Sequence, residues 1–151
     1  SEPLKIHGLF KDKTQRQQRL QALLNQVELD NDVLSRYPHQ FSGGQRQRIA
    51  IARALACEPE LLICDEAVTA LDVLIQQQVV ALLKKLVKET RLSLLFITHD
   101  IALVSDFADR LAVMQHGQLI EQGQTRDIIE QPQHSYTQQL INSIPRLATM
   151  A

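Results

Sequence analysis

The chain has 151 residues, 44% hydrophobic and 22% charged, a composition that can bury the core of one globular domain and excludes an intrinsically disordered segment. Sixteen basic residues against seventeen acidic ones leave a net charge of -1, so no electrostatic footprint of nucleic-acid binding is present. Of the two cysteines, Cys57 falls at a helix end and Cys64 inside an apolar strand, which argues against a disulfide framework or a four-ligand zinc site, and no apolar run reaches the roughly 18 residues of a membrane span. The first residue is Ser1 and no charged-then-apolar leader follows it, so the expectation is a chain that begins partway through a longer protein and carries no export signal.

Thr14-Gln15-Arg16-Gln17 has the form of a capping box, and Leu20, Leu23, Leu24 and Val27 follow at helical spacing, which predicts a helix from about Thr14 to Glu28. Pro38 breaks the pattern, and a second helix is expected from Ser42 to about Ala56. Leu61 to Cys64 is apolar at every position, the pattern of a parallel strand buried on both faces. Asp72 can cap a third helix with Ile75, Val79, Leu82, Leu83 and Leu86 on one stripe. A second strand is expected at Leu94 to Ile97, and a right-handed strand-helix-strand crossover would make the two strands parallel neighbours. Leu111 to Gln115 and Gln118 to Gln122 flank His116-Gly117 as a two-residue hairpin. Helices at about Thr125 to Glu130 and Ser135 to Ile144 complete the pattern before Pro145. The cluster Lys84, Lys85, Lys88 and Arg91 falls near a helix end, where cations suit the dipole and water solvates them.

Three places concentrate residue types with chemistry. At Ser42-Gly43-Gly44-Gln45 a helix begins, so first-turn amides and the positive end of the dipole face outward, and two glycines let an anion approach the backbone. Ser42-x-x-Gln45 is also a plain capping box, but two glycines cost about 1 kcal/mol each relative to alanine and capping alone requires neither. Asp65-Glu66 ends the first apolar strand, and adjacent carboxylates on an extended chain point in different directions and can take different tasks. Four apolar residues before the pair set it apart from a solvated turn. His99 follows the second apolar strand, whereas His7, His39, His116 and His134 read as ordinary loop and cap histidines.

In this order, Phe41-Ser42-Gly43-Gly44-Gln45-Arg46-Gln47-Arg48, Asp65-Glu66 and Thr98-His99-Asp100 resemble the ATP-binding subunit of ABC transporters. The resemblance implies an α/β fold, a partial P-loop NTPase (RecA-like) ABC ATPase fold with a mainly parallel sheet and part of the helical subdomain. Residues 1–40 would be the C-terminal part of that subdomain, 41–124 the catalytic half-core, and 125–151 a helical tail. It implies that Ser42, Gly43, Gly44 and Gln45 bind the terminal phosphate of ATP held by the opposite subunit. Asp65 would support magnesium, through water, and Glu66 would polarise the attacking water. Ala67 to Asp72 would form the D-loop, with Asp72 in it, and His99 would be the switch histidine at the terminal phosphate. Phe41 stands where leucine is usual, and Ala67 where proline is usual. Pro132-Gln133-His134-Ser135-Tyr136-Thr137 is similar to the tail of the oligopeptide, dipeptide and nickel importers, with Ser135 in place of a proline.

The implied partners are ATP and Mg2+, a second identical or different ATPase subunit, membrane-spanning permease subunits and, indirectly, a solute-binding protein, with no nucleic acid. The implied place is the cytoplasmic face of the cell membrane, peripherally bound. The five glycines, at 8, 43, 44, 117 and 123, contain no G-x-x-x-x-G-K-[ST] pattern, so the polypeptide by itself is expected to be inactive. The alternatives are a soluble ABC ATPase of DNA repair or translation and a non-catalytic remnant that only pairs with another subunit.

Overall fold

A computed structural model describes residues 12–143. The sequence expectations at His7, Gly8, Ile144 and Pro145 lie outside the described residues. Packing divides the chain between Ile97 and Thr98 into two compact units. That boundary falls inside the segment 41–124 drawn from the motifs, since packing and motif order group residues by different criteria.

In the first unit, helix α1 spans Lys13–Gln26. Its N-cap is Asp12, whose carboxylate accepts from the Gln15 amide at 3.3 Å, so the helix starts earlier than the Thr14 box suggests. At its other end Glu28 takes a positive φ of 56°, and its amide bonds Asn25 O at 3.1 Å while that of Leu29 bonds Leu24 O at 2.9 Å. This is a Schellman closure with glutamate where glycine is the common choice. Two short 3-10 turns, Asn31–Ser35 and Pro38–Gln40, lead to helix α2, Gly43–Leu55. Strand β1 is Leu61–Asp65, helix α3 is Val73–Glu89 and strand β2 is Ser93–Ile97. The strands pair in parallel, Leu61 with Ser93 through Asp65 with Ile97, as the crossover argument requires.

Helices α1 and α2 hold each other by a reciprocal clasp. Arg48 of α2 donates to Val27 O at 3.0 Å and to the Glu28 carboxylate at 2.7 Å, and Arg19 of α1 donates to Leu55 O at 3.4 Å and pairs with Glu58 at 3.1 Å. Arg48 thereby serves the Val27 carbonyl at the end of α1, while Arg19 adds a second donor to the Leu55 carbonyl, which already accepts from the Glu58 amide at 3.0 Å. Leu23, Leu24, Val27, Ile51, Leu55, Val79, Leu82, Leu83 and Leu86 supply the core, and the stripe expected on α3 is buried from Val79 onward.

The expectation that β1 is buried on both faces is overturned. Leu62 and Cys64 are buried, but Leu61 and Ile63 are 52% and 58% exposed, and their face continues across β2 with Leu95 and Ile97 at 49% and 45%. The physical reason is period two: a two-stranded sheet covered on one side hides alternate residues only.

In the second unit, a short helix α4 at Ile101–Ser105 precedes strands β3, Arg110–Gln115, and β4, Gln118–Gln124, which pair antiparallel. Their turn is His116-Gly117 as expected, with φ of 50° and 77°, the positive pair that a type I′ hairpin needs. The register shifts between Val113 and Met114, leaving Ile120 as a bulge. Helix α5, Thr125–Glu130, starts where the Thr125 amide bonds Asp109 O at 3.0 Å and its hydroxyl bonds Ala108 O. Helix α6 is Ser135–Asn142. Val104, Val113 and Ile128 form the small core.

Candidate functional site

The turn into α2 is built by its own side chains. Ser42 Oγ accepts from the Gln45 amide at 3.2 Å and Gln45 Oε1 accepts from the Ser42 amide at 3.1 Å, closing the capping box, while the Arg46 amide bonds Ser42 O at 2.9 Å. Arg46 also donates to Phe41 O at 3.1 Å, and Phe41 itself is buried, which anchors the entry to the turn. The glycines have a second physical reason. A Cβ on Gly44 would lie 2.6 Å from Ile75 Cγ2 and one on Gly43 would lie 3.1 Å from Leu71 Cδ2, so both residues let α2 approach the start of α3.

Asp65 is the last residue of β1 and lies on the exposed face with Leu61 and Ile63. Glu66 then adopts φ 45°, a left-handed conformation rare for a side chain of its kind, and its amide donates to Ile97 O at 3.0 Å. The chain turns through Thr69 N to Glu66 O and Leu71 N to Val68 O, at 3.2 and 3.0 Å, with Val68 buried. Asp72 caps α3, its carboxylate accepting from the Ile75 amide at 3.0 Å. A groove of about 380 Å3 runs between α2 and this strand end, lined among others by Gln47, Ala50, Ala54, Asp65 and Glu66.

The parallel register brings the carboxylate end of β1 beside the end of β2, and His99 stands two residues beyond Ile97 in the chain, exposed and in the second unit. Its loop is shaped by Thr98 Oγ1 accepting from the Asp100 amide at 3.0 Å and by the Asp100 carboxylate capping α4 at the Leu103 amide, 3.2 Å. Sequence reasoning missed α4 and its cap, although Thr98-x-Asp100 before an apolar run is a cap signal. It also missed Arg48 and Glu28. Hydrogen bonding and charge from Arg48, with Lys85 at 3.5 Å, hold the Glu28 carboxyl below the usual carboxylate range. Burial pushes the Cys64 thiol up, which makes it a packed apolar residue and not a nucleophile.

Among the described residues no three or more histidine, cysteine, aspartate or glutamate side chains gather as a metal cage. The exposed Asp65 carboxylate at the strand end fits a magnesium ion that keeps most of its shell as water and phosphate oxygen.

A profile of the ABC transporter family matches residues 3–69, and a profile of the oligopeptide/dipeptide transporter C-terminal region matches residues 120–150. The oligopeptide transport ATP-binding protein OppF of Bacillus subtilis is 51% identical over 96% of this chain and 48% of its own length. The dipeptide transport ATP-binding protein DppF of Lactococcus lactis is 47% identical over 96% of this chain and 46% of its own. The chain thus spans about half the length of these curated relatives. Among solved structures, a dimeric ATP-binding cassette in a post-hydrolysis state bound to ADP and Pi superposes with a TM-score of 0.66 at 33% identity, covering 78% of this chain and 50% of that one. A dimeric bacterial ABC transporter cassette gives the same values. The described fold is accordingly part of the P-loop NTPase fold of ABC cassettes, and the chain is similar over nearly its whole length to ATP-binding proteins of ABC transporters, the oligopeptide and dipeptide transport proteins among them.

Proposed function

We propose that this chain supplies the signature turn, the strand-end carboxylates, the D-loop and the switch histidine of an ABC importer ATPase that energises uptake of oligopeptides or dipeptides. Nickel complexes are the further solute class that the tail resemblance admits. The observation that carries this reading is the parallel pairing of Asp65 with Ile97, with the Glu66 amide on Ile97 O, in a sequence 51% identical to an oligopeptide transport ATP-binding protein. That pairing brings the end of the strand carrying Asp65-Glu66 beside the end of the strand that leads into His99.

In this reading Ser42, Gly43, Gly44 and Gln45 present first-turn amides and the helix dipole to the terminal phosphate of ATP held by a second ATPase subunit. The Glu66 carboxylate accepts a hydrogen bond from the attacking water and raises its nucleophilicity, and His99 orients the terminal phosphate. Asp65 would hold Mg2+ through water, and the ion would offset charge on the phosphate oxygens. Asp72, in the D-loop, fixes the start of α3 beside the signature turn. Permease subunits would receive the motion, with a solute-binding protein acting beyond them, which puts the protein peripherally on the cytoplasmic face of the membrane.

The test is Glu66→Gln and His99→Ala in the complete ATP-binding subunit carrying this sequence. The amide that replaces the Glu66 carboxylate accepts a proton poorly, so ATP binding is retained, a closed dimer accumulates and hydrolysis falls at least about 100-fold. Loss of His99 suppresses turnover while the carboxylate stays intact. Wild-type turnover from either variant refutes the role assigned to that residue.

A further inference from the structure

We propose that Ile75, supported by Leu71, is a positioning residue that holds the Ser42–Gln45 turn against the start of α3, so that the turn and the D-loop cap move as one body. Its meaning for phosphate binding rests on the function proposed above; the mechanical coupling does not.

Gly44 is buried, and a Cβ there would meet Ile75 Cγ2 at 2.6 Å, a separation that real Cβ contacts do not show. The Ile75 side chain therefore rests against the backbone of Gly44. A flexible side chain could move aside, but isoleucine is β-branched, and in a helix one χ1 rotamer dominates, so its γ2 methyl acts as a fixed stop. The backbone of the same residue is fixed as well, because the Ile75 amide is the donor that the Asp72 carboxylate takes at 3.0 Å. One residue thus joins the D-loop cap through its main chain to the signature turn through its side chain.

A second contact runs in parallel. Leu71 Cδ2 lies 3.1 Å from where a Gly43 Cβ would be, and the Leu71 amide is tied to Val68 O at 3.0 Å, with Val68 buried beneath. The turn cannot absorb a shift of these stops by rotating, since its capping box is closed at both Ser42 and Gln45. A displacement of the Ala67–Asp72 loop therefore carries the first-turn amides of α2 with it. Glycine at 44 is then required for registration of one element on another, and glycine at 43 eases it, in addition to giving an anion access.

Amide hydrogen exchange of the complete ATP-binding subunit carrying this sequence, read residue by residue by NMR, tests the coupling. Ile75→Ala removes the γ2 methyl and should speed exchange at Gln45 and Arg46 about tenfold relative to the interior α3 amides from Val79 to Leu86. Ile75→Val keeps the β-branch and should stay within about twofold of wild type. Gly44→Ala should loosen the Asp72-capped Ile75 amide, and the double variant Gly44→Ala with Ile75→Ala should restore both sites toward wild type. Equal acceleration throughout α2 and α3 in Ile75→Ala, an unchanged ratio, or independent effects without restoration in the double variant would each overturn the proposal. Turnover of Ser42→Ala in the complete subunit reads the phosphate assignment separately. Lost turnover together with an unchanged exchange ratio removes the positioning role and leaves the phosphate role standing; normal turnover with the exchange coupling present does the reverse.

Discussion

Replacing Arg48 by methionine should unfasten α2 from the end of α1 by a predictable amount. The Arg48 side chain is 15% exposed, and its guanidinium donates both to Val27 O at 3.0 Å and to the Glu28 carboxylate at 2.7 Å. Val27 is fully buried, so its carbonyl loses a donor that water replaces poorly, a cost of about 1–2 kcal/mol. Glu28 is nearly half exposed, so solvent screening limits the ion pair to about 0.5–1 kcal/mol. Methionine retains much of the apolar stem, which leaves a total of about 2 kcal/mol. With a urea slope of about 2 kcal/mol per molar, the unfolding midpoint should fall by roughly 1 M. Glu28→Gln with Arg48→Met completes a double-mutant cycle whose coupling should be the ion-pair part alone. The pH dependence has a definite sign. Arg48 lowers the Glu28 pKa in the folded protein, so the pair stabilises above the unfolded value, about 4.3, and that contribution is lost as pH falls through the folded one. The difference between wild type and Arg48→Met should therefore shrink in acid toward the carbonyl contribution. A midpoint shift below about 0.2 M at pH 7, or zero coupling, would refute the clasp as a stabilising device.

Two further outcomes follow from the second unit and the sheet. The Glu121 carboxylate accepts from the amides of Gln133 at 2.8 Å and His134 at 3.1 Å, and the fully buried Thr137 hydroxyl adjoins it without a hydrogen bond of ordinary geometry. The Gln133 amide first, then Thr137, hold its pKa down, so this tether is present above the unfolded value and released as pH falls through the folded one; Glu121→Gln should speed amide exchange at Gln133 and His134 at pH 7, and the difference from wild type should shrink as pH falls through the folded value. The face formed by Leu61, Ile63, Leu95 and Ile97 should drive self-association of the 151-residue polypeptide, detected by size-exclusion chromatography, and Ile63→Lys should reduce it; a wild-type polypeptide that stays a monodisperse monomer across the concentration range contradicts this.

What was legible in the sequence is what local chemistry encodes. Ser42 and Gln45 close a capping box within one turn, Asp72 caps the next residues, and His116-Gly117 supplies two positive φ values, so these features needed no knowledge of the rest of the chain. Parallel pairing of β1 with β2 followed from chain length and handedness. The covering of β1 was not legible, because an apolar run states that burial is favourable and not which element supplies it. Asp12 and Thr14 are both good caps two residues apart, and only the geometry chose Asp12. The contact of Gly44 with Ile75 is long-range, and a pair of glycines in sequence does not say whether an anion or a side chain needs the space.

Glu66 was legible as chemistry but not as conformation, and its conformation is informative. Four described residues other than glycine have positive φ: Glu28, Glu58, Glu66 and His116. His116 serves the hairpin turn, while Glu28 and Glu58 close helix ends and meet Arg48 and Arg19. A left-handed glutamate costs about 1–2 kcal/mol against glycine, which itself loses about 0.5–1 kcal/mol more chain entropy on folding. At Glu28 the arginine contact offsets that difference, so Glu28→Gly should destabilise the chain. The amide bond from Glu66 to Ile97 O belongs to the backbone and survives substitution by glycine. Glu66→Gly keeps that bond and relieves the left-handed strain while removing the carboxylate from the strand end, so its effect on stability, measured by urea unfolding, should be more favourable than that of Glu28→Gly. That difference would mark Glu66 as a residue kept in a strained conformation for chemistry, in the direction that runs from an observed outlier to a function. A loss of stability in Glu66→Gly comparable to that in Glu28→Gly would instead make its carboxylate a structural fastening and remove this support for a catalytic role.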